Sequence, residues 1–172
     1  ARSLDGGSTW SVEFPQTRGY LVPRGKFLHG TEIPGIAIPP LRDCTEAVNL
    51  THPDFAMALH MEHKDGSGGP SRFEFSYNRG HTWHGPFRMP LMGTNGIAAR
   101  TDYIVDGRNE ATFFLTAAKS AGGEGRVMCA RTLDGCRSFE FLSWVGDEIA
   151  GYEIMPSSVR ITSDHLVTTT RV

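Results

Sequence analysis

The sequence has no apolar run approaching the roughly 18 residues that a membrane-crossing helix needs. It has no surplus of positive charge: 17 Lys and Arg stand against 19 Asp and Glu, a formal net charge of −2. Binding a phosphate backbone demands a clear basic excess on one face, so no nucleic-acid partner is expected. Cysteine is scarce. Cys44, Cys129 and Cys136 form no CxxC spacing, which argues against a zinc ribbon or a dense disulfide framework. No segment keeps a 3.6-residue apolar period over three turns, so a helical bundle is not expected. The stretches Gly66-Ser67-Gly68-Gly69 and Gly122-Gly123-Glu124-Gly125 lack the Lys-Ser/Thr and the helix of a phosphate loop. They read as long loops between strands.

Glycine and proline are plentiful, 20 and 10 of 172 residues, which suits a turn-rich β protein. The hydrophobic fraction of 39% is enough for one real core. Alternating patterns predict strands at Phe73-Glu74-Phe75-Ser76-Tyr77 and Phe139-Glu140-Phe141-Leu142-Ser143-Trp144. A more buried strand is expected over residues 111–117. Another is expected over the β-branched residues 161–170. Residues 45–50 fit a short helix or a strand equally well. Cys129, between Met128 and Ala130, reads as buried.

Three segments align. They are Ser3-Leu4-Asp5-Gly6-Gly7-Ser8-Thr9-Trp10, Ser76-Tyr77-Asn78-Arg79-Gly80-His81-Thr82-Trp83 and Thr132-Leu133-Asp134-Gly135-Cys136-Arg137-Ser138-Phe139. The shared pattern is Ser/Thr-x-Asp/Asn-x-Gly-x-Ser/Thr-aromatic. Its chemistry is that of a hairpin turn. The Asp or Asn oxygen accepts backbone N–H bonds, the Gly takes positive φ, and the aromatic ring plugs the base. The third segment departs by placing Cys136 where Gly is expected. Positive φ on Cys costs about 1 kcal/mol, so a different turn, centred on Gly135, is expected there.

These segments resemble the Asp-boxes of sialidases (neuraminidases) and related β-propellers, which repeat once per four-stranded blade. The spacing agrees with blades. Asn78 to Asp134 is 134 − 78 = 56 residues, and Leu41, Gly96 and Gly151 stand 55 apart. Asp5 to Asn78 is 73, and the excess falls in the Pro/Gly-rich residues 15–40. The resemblance implies an all-β propeller of four-stranded antiparallel blades, six in the intact ring. Residues 1–14 would end one blade and 15–40 form an inserted connection. Residues 41–95 and 96–150 would form two blades, and 151–172 begin another. About three blades do not close a ring. The remainder would come from a longer parent chain or an associated chain.

In that family the boxes are fold elements. Substrate sits at the opposite end, where each innermost strand begins. On this register the innermost strands open with Arg42 and Asp43, with Arg100 and Asp102, and with Tyr152 and Glu153. Second strands end at His60, Glu62 and His63, at Lys119, and at Arg171. The family clamps a substrate carboxylate with arginines and uses an Asp acid/base and a Tyr nucleophile assisted by a Glu. The resemblance therefore implies Arg42, Arg100 and Arg171 for the clamp, with His60 and Glu62 also binding substrate. Asp43 or Asp102 would be the acid and Glu153 the base. Arg suits this task because its planar fork grips a carboxylate with two bonds. Tyr152 neighbours Glu153 in sequence, so on a strand the two side chains point to opposite sides. The family's Arg-Ile-Pro motif is absent, since Ile38-Pro39 follows Ala37.

Blander roles exist for the same residues: an ion pair between Arg100 and Asp102, a solvated Glu153, a surface Arg171. His60-Met61-Glu62-His63 offers two histidines without a further ligand, so no metal and no cofactor is expected. Asn49-Leu50-Thr51 matches a glycosylation sequon. The expected function is a sialidase-like hydrolase removing a terminal acidic sugar from a glycoconjugate. Two other readings stand beside it: a non-catalytic glycan-binding propeller, and a polysaccharide lyase with a Tyr or His base. Two arginines and a carboxylate converging would favour the hydrolase. Aromatic shelves would favour the binder.

Overall fold

The computed structural model describes residues 3–12, 40–61 and 68–172. The connection expected over residues 15–40 lies almost wholly outside them, as do Ala37-Ile38-Pro39, Glu62 and His63. Among the described residues the structure is all β, without a helix. Strands β1 (Ala56–Met61), β2 (Ser71–Ser76) and β3 (His84–Met89) form an antiparallel three-stranded sheet. Strands β4 (Ile97–Val105), β5 (Ala111–Ala118), β6 (Glu124–Thr132) and β7 (Glu140–Trp144) form a four-stranded antiparallel meander. Strands β8 (Ile154–Arg160) and β9 (Leu166–Arg171) form an antiparallel pair. Strand β4 lies against β1 on one side and β8 on the other.

Burial follows this stacking. Every residue of β5 is buried, because the four-stranded sheet is covered on both faces. That is why Ala111-Thr112-Phe113-Phe114-Leu115-Thr116-Ala117 does not alternate in polarity. One face carries Phe113 and Leu115 into a core shared with Phe73, Phe87 and Met89 of the first sheet. The ring of Phe139 bridges the two sheets, 5.8 Å from Phe73 and 5.5 Å from Phe113. The pair β8–β9 is covered on one side only. Ile154 and Pro156 are buried, while Met155, Val159 and Val167 are exposed.

The three repeated segments are three copies of one turn. In each, the first hydroxyl bonds the Asp or Asn oxygen, at 2.9 Å for Ser3, 2.8 Å for Ser76 and 3.0 Å for Thr132. The same hydroxyl accepts the N–H four residues on, from Gly7, Gly80 and Cys136. The Asp or Asn oxygen accepts the N–H of Thr9, Thr82 and Ser138, at 2.9 Å each time. The second turn joins β2 to β3 and the third joins β6 to β7.

Three sequence expectations are corrected. Cys136 does not force a different turn; it takes φ 66° itself, beside Gly135 at φ 72°. The Thr132 hydroxyl and the burial of the thiol hold it there. Residues 161–170 are not one strand. The chain reverses after Arg160, with the N–H groups of Ile161 and Thr162 donating to the His165 carbonyl. β-Branched composition alone missed the Ser163-Asp164 turn signal. Residues 45–50 are neither helix nor strand. Their amides are spent on other loops: Val48 donates to the Gly135 carbonyl at 2.9 Å and Leu50 to that of Arg108 at 2.7 Å.

Candidate functional site

The end of the stack where β4, β6 and β8 begin gathers charge from three strands. Arg100 lies within a bulge in β4, between Ala98 and Thr101, and Glu124 opens β6. Their side chains form an ion pair, Nε to Oε1 at 3.1 Å, with 18% and 9% of each side chain exposed. Glu124 is cross-strand from Ala118, and Asp102 from Phe114, so both lie on the sheet face that meets β8. Gly125 brings the next strand in. Its φ is 137°, and a Cβ there would stand 3.1 Å from the Tyr152 Cα. Its carbonyl accepts the Glu153 N–H at 3.0 Å. Glycine is required here for both conformation and close approach.

Glu153 is half-buried rather than solvated. Its Oε1 accepts the Thr170 hydroxyl at 3.1 Å. Its Oε2 is buried and has no hydrogen-bond partner among the described residues. Gly146 lies beside this carboxylate; a Cβ there would make ordinary contact with Oε1, at 3.4 Å.

A second cluster borders the first. The Arg126 guanidinium lies 4.1 Å from the centre of the Trp144 ring and 3.8 Å from Glu148. Glu148 also accepts the N–H and hydroxyl of Ser120, at 3.0 and 2.7 Å. Those two bonds, followed by the nearby Arg126 and Lys119 charges, hold its carboxyl below the usual range. Lys119 donates to three successive carbonyls, of Ile149, Ala150 and Gly151, and so ties down the approach to β8. A cavity of about 190 Å³ opens among Asn95, Lys119, Arg126, Trp144 and Glu148.

The other candidates are dispersed. Asp102 ties β4 to β8: its oxygens accept the Ser158 N–H at 2.6 Å and the Tyr103 N–H at 2.9 Å. It does not pair with Arg100. Arg171 is exposed and donates to the Met155 sulfur at 3.7 Å. His60 faces Glu74 at 3.7 Å, cross-strand from the buried Arg72. Burial, with the Arg72 charge adding to it, lowers the His60 pKa to about 4, so the imidazole is neutral near pH 7.

Arg42 and Asp43 do not open an innermost strand. Arg42 bridges Phe87 in parallel along β3, at the far edge of the first sheet from β1. The Arg88 N–H donates to its carbonyl, its guanidinium lies 4.9 Å from the Phe87 ring centre, and Asp43 pairs with Arg88. The 55-residue register failed here because equal spacing does not establish equal strand position. Among the described residues no hydrogen bond or ion pair joins any two of the candidates Arg42, Asp43, His60, Arg100, Asp102, Glu153 and Arg171. Arg100 pairs with Glu124, and the neighbouring Gly125 bonds the Glu153 backbone. Glu124, Arg126, Trp144 and Glu148 were not foreseen as site residues. Glu124 lies within a Gly-rich stretch read only as a loop.

No grouping of three or more His, Cys, Asp or Glu among the described residues is placed to hold a metal. No helix there is long and apolar enough to cross a membrane. No family model, curated protein or solved structure matches the chain.

Proposed function

We propose that this chain is a sialidase-like glycoside hydrolase unit acting on a terminal acidic sugar, built from propeller blades. The observation that carries the reading is the shielded Arg100–Glu124 pair, with the backbone of the neighbouring Gly125 bonded to that of Glu153. Arg100 supplies one of the two arginines a converging clamp needs, with its Nε held by Glu124. Glu153, with one oxygen bonded and the other buried without a partner, is the acid/base candidate. The fold side is supported by the threefold turn geometry, the four-stranded meander, and the placing of β1, β4 and β8 side by side.

A second reading is a non-catalytic glycan-binding unit. The edge position of Arg42 and Asp43 favours it, because they are removed from the clamp and the acid. So does the Asp102 carboxylate, whose two oxygens are spent on backbone N–H groups. Fluorogenic sialoside cleavage, run beside saturation-transfer NMR with free sialic acid, separates the two. Turnover lost in Arg100→Ala and in Glu153→Gln supports the hydrolase. Binding without turnover, lost in Arg100→Ala, supports the binder. Neither turnover nor binding overturns both.

A further inference from the structure

The cavity of about 190 Å³ beside the start of β6 holds polar groups that the fold leaves open. It is lined by Asn95, Ser120, Arg126, Trp144 and Glu148. Arg126 is cross-strand from Ala117, whose side chain belongs to the core shared with the first sheet. Glu124 is cross-strand from Ala118, on the face that meets β8. The cavity therefore lies across the sheet from the Arg100–Glu124 pair. Its cations are already engaged. The Lys119 ammonium has three protons and donates to three carbonyls, of Ile149, Ala150 and Gly151. The Arg126 guanidinium lies 4.1 Å from the Trp144 ring centre, donates to the Gly146 carbonyl at 3.4 Å and faces Glu148 at 3.8 Å. Its Nε is buried, out of reach of a ligand.

What stays open suits hydroxyl groups. An ionised carboxylate has about four acceptor positions. Ser120 fills two of those on Glu148, with its N–H at 3.0 Å and its hydroxyl at 2.7 Å. The same two bonds fix the carboxylate in place and keep it ionised. The Asn95 side chain is exposed, and neither its amide nor the Trp144 indole N–H has a hydrogen-bond partner among the described residues. We propose that this cavity binds one neutral sugar residue. Neighbouring hydroxyls donate to the open positions of Glu148, the Asn95 amide takes a further hydroxyl, and the sugar C–H face packs against the part of Trp144 that Arg126 leaves uncovered. The size agrees, because drug-sized pockets run from roughly 300 Å³ upward and this one has room for a single ring. A ligand carboxylate is disfavoured, since it would face the Glu148 carboxylate with no open cation to offset the repulsion. The site is independent of the acidic-sugar reading above.

The test titrates the full chain with the methyl glycosides of galactose, glucose, mannose and glucuronic acid, followed by tryptophan fluorescence and saturation-transfer NMR. At least one neutral glycoside should bind saturably, and more tightly than the glucuronide. Excess free sialic acid should leave it in place. Asn95→Ala and Glu148→Gln should each weaken binding about fivefold or more, with the melting temperature unchanged. Trp144→Phe should remove the fluorescence response. No saturable binding of any neutral glycoside, equal or tighter binding of the glucuronide, displacement by sialic acid, a smaller loss in either polar variant, or a response that persists in Trp144→Phe would each overturn the inference.

Discussion

Cys136 stands in the third turn where Gly80 stands in the second. Each has positive φ, and each donates its N–H at 2.9 Å to the hydroxyl four residues earlier, Thr132 or Ser76. A turn that tolerates this exchange is governed by its polar side chains more than by its glycine. Asp134 illustrates the balance. Burial pushes its carboxyl up, but the Ser138 hydroxyl and N–H and the Thr132 hydroxyl together hold it below the usual range.

Asp134→Asn should therefore cost little, under about 1 kcal/mol. Asn78 already fills this place in the second turn, its amide donating to the Thr82 hydroxyl at 2.8 Å. Asp134→Ala removes acceptors for three donors and should cost about 2 kcal/mol. Urea unfolding of the two variants measures the contrast. Equal losses would mean that the oxygens do not hold the turn.

Two glycines separate conformation from crowding. Gly122 and Gly135 both have positive φ, 84° and 72°. A Cβ on Gly122 meets nothing within 4 Å, whereas one on Gly135 strikes the Val48 backbone. Gly122→Ala should cost about 1 kcal/mol, from φ alone. Gly135→Ala should cost about 3 kcal/mol or more, because backbone must also move. Chemical denaturation compares them.

The Arg100–Glu124 pair is largely shielded from water, so losing one partner strands the other. Arg100→Ala should destabilise by about 3 kcal/mol, the low end for a buried pair because some exposure remains. Arg100→Met with Glu124→Leu should recover most of this. A double-mutant cycle reads the coupling. A value near zero would mean that the pair is solvated.

His60 makes stability depend on pH. Its folded pKa of about 4 lies below the unfolded value of 6.5, so the unfolded chain binds the extra proton between them. Stability from this group is full above pH 6.5 and falls as pH drops toward 4. The total loss is about 3 kcal/mol. The facing groups are Arg72 and Glu74. Burial raises the Glu74 pKa, which acts with the opposite sign. Urea midpoints of wild type and His60→Gln at pH 7 and pH 5 isolate the histidine. Parallel declines in the two would show that it does not titrate in the folded state as described.

The sequence made the β class, the three turns and the buried β5 legible, because each follows from local pattern: alternation, a hydroxyl–carboxyl spacing, an apolar run. Strand position within a sheet was not legible for Arg42 and Asp43. Parallel pairing with Phe87 is a non-local event that no local pattern encodes. The candidate site was half legible. Arg100 and Glu153 were found from charge at strand starts. Glu124 was hidden because Gly123 and Gly125 dilute any alternation around it. Its partner lies 24 residues earlier, brought close only by the meander.

The pair β8–β9 has a neighbour on one side only among the described sheets, with Val159 and Val167 turned outward. Separating it from β4 leaves the aromatic contacts around Phe139 intact. Opening is then a peeling event, started at the outer layer and stopped at the four-stranded sheet. A two-stranded ribbon is marginal by itself. Amide protection should fall off in layers, with β8 and β9 exchanging by this local opening and β5 only when the whole fold is lost.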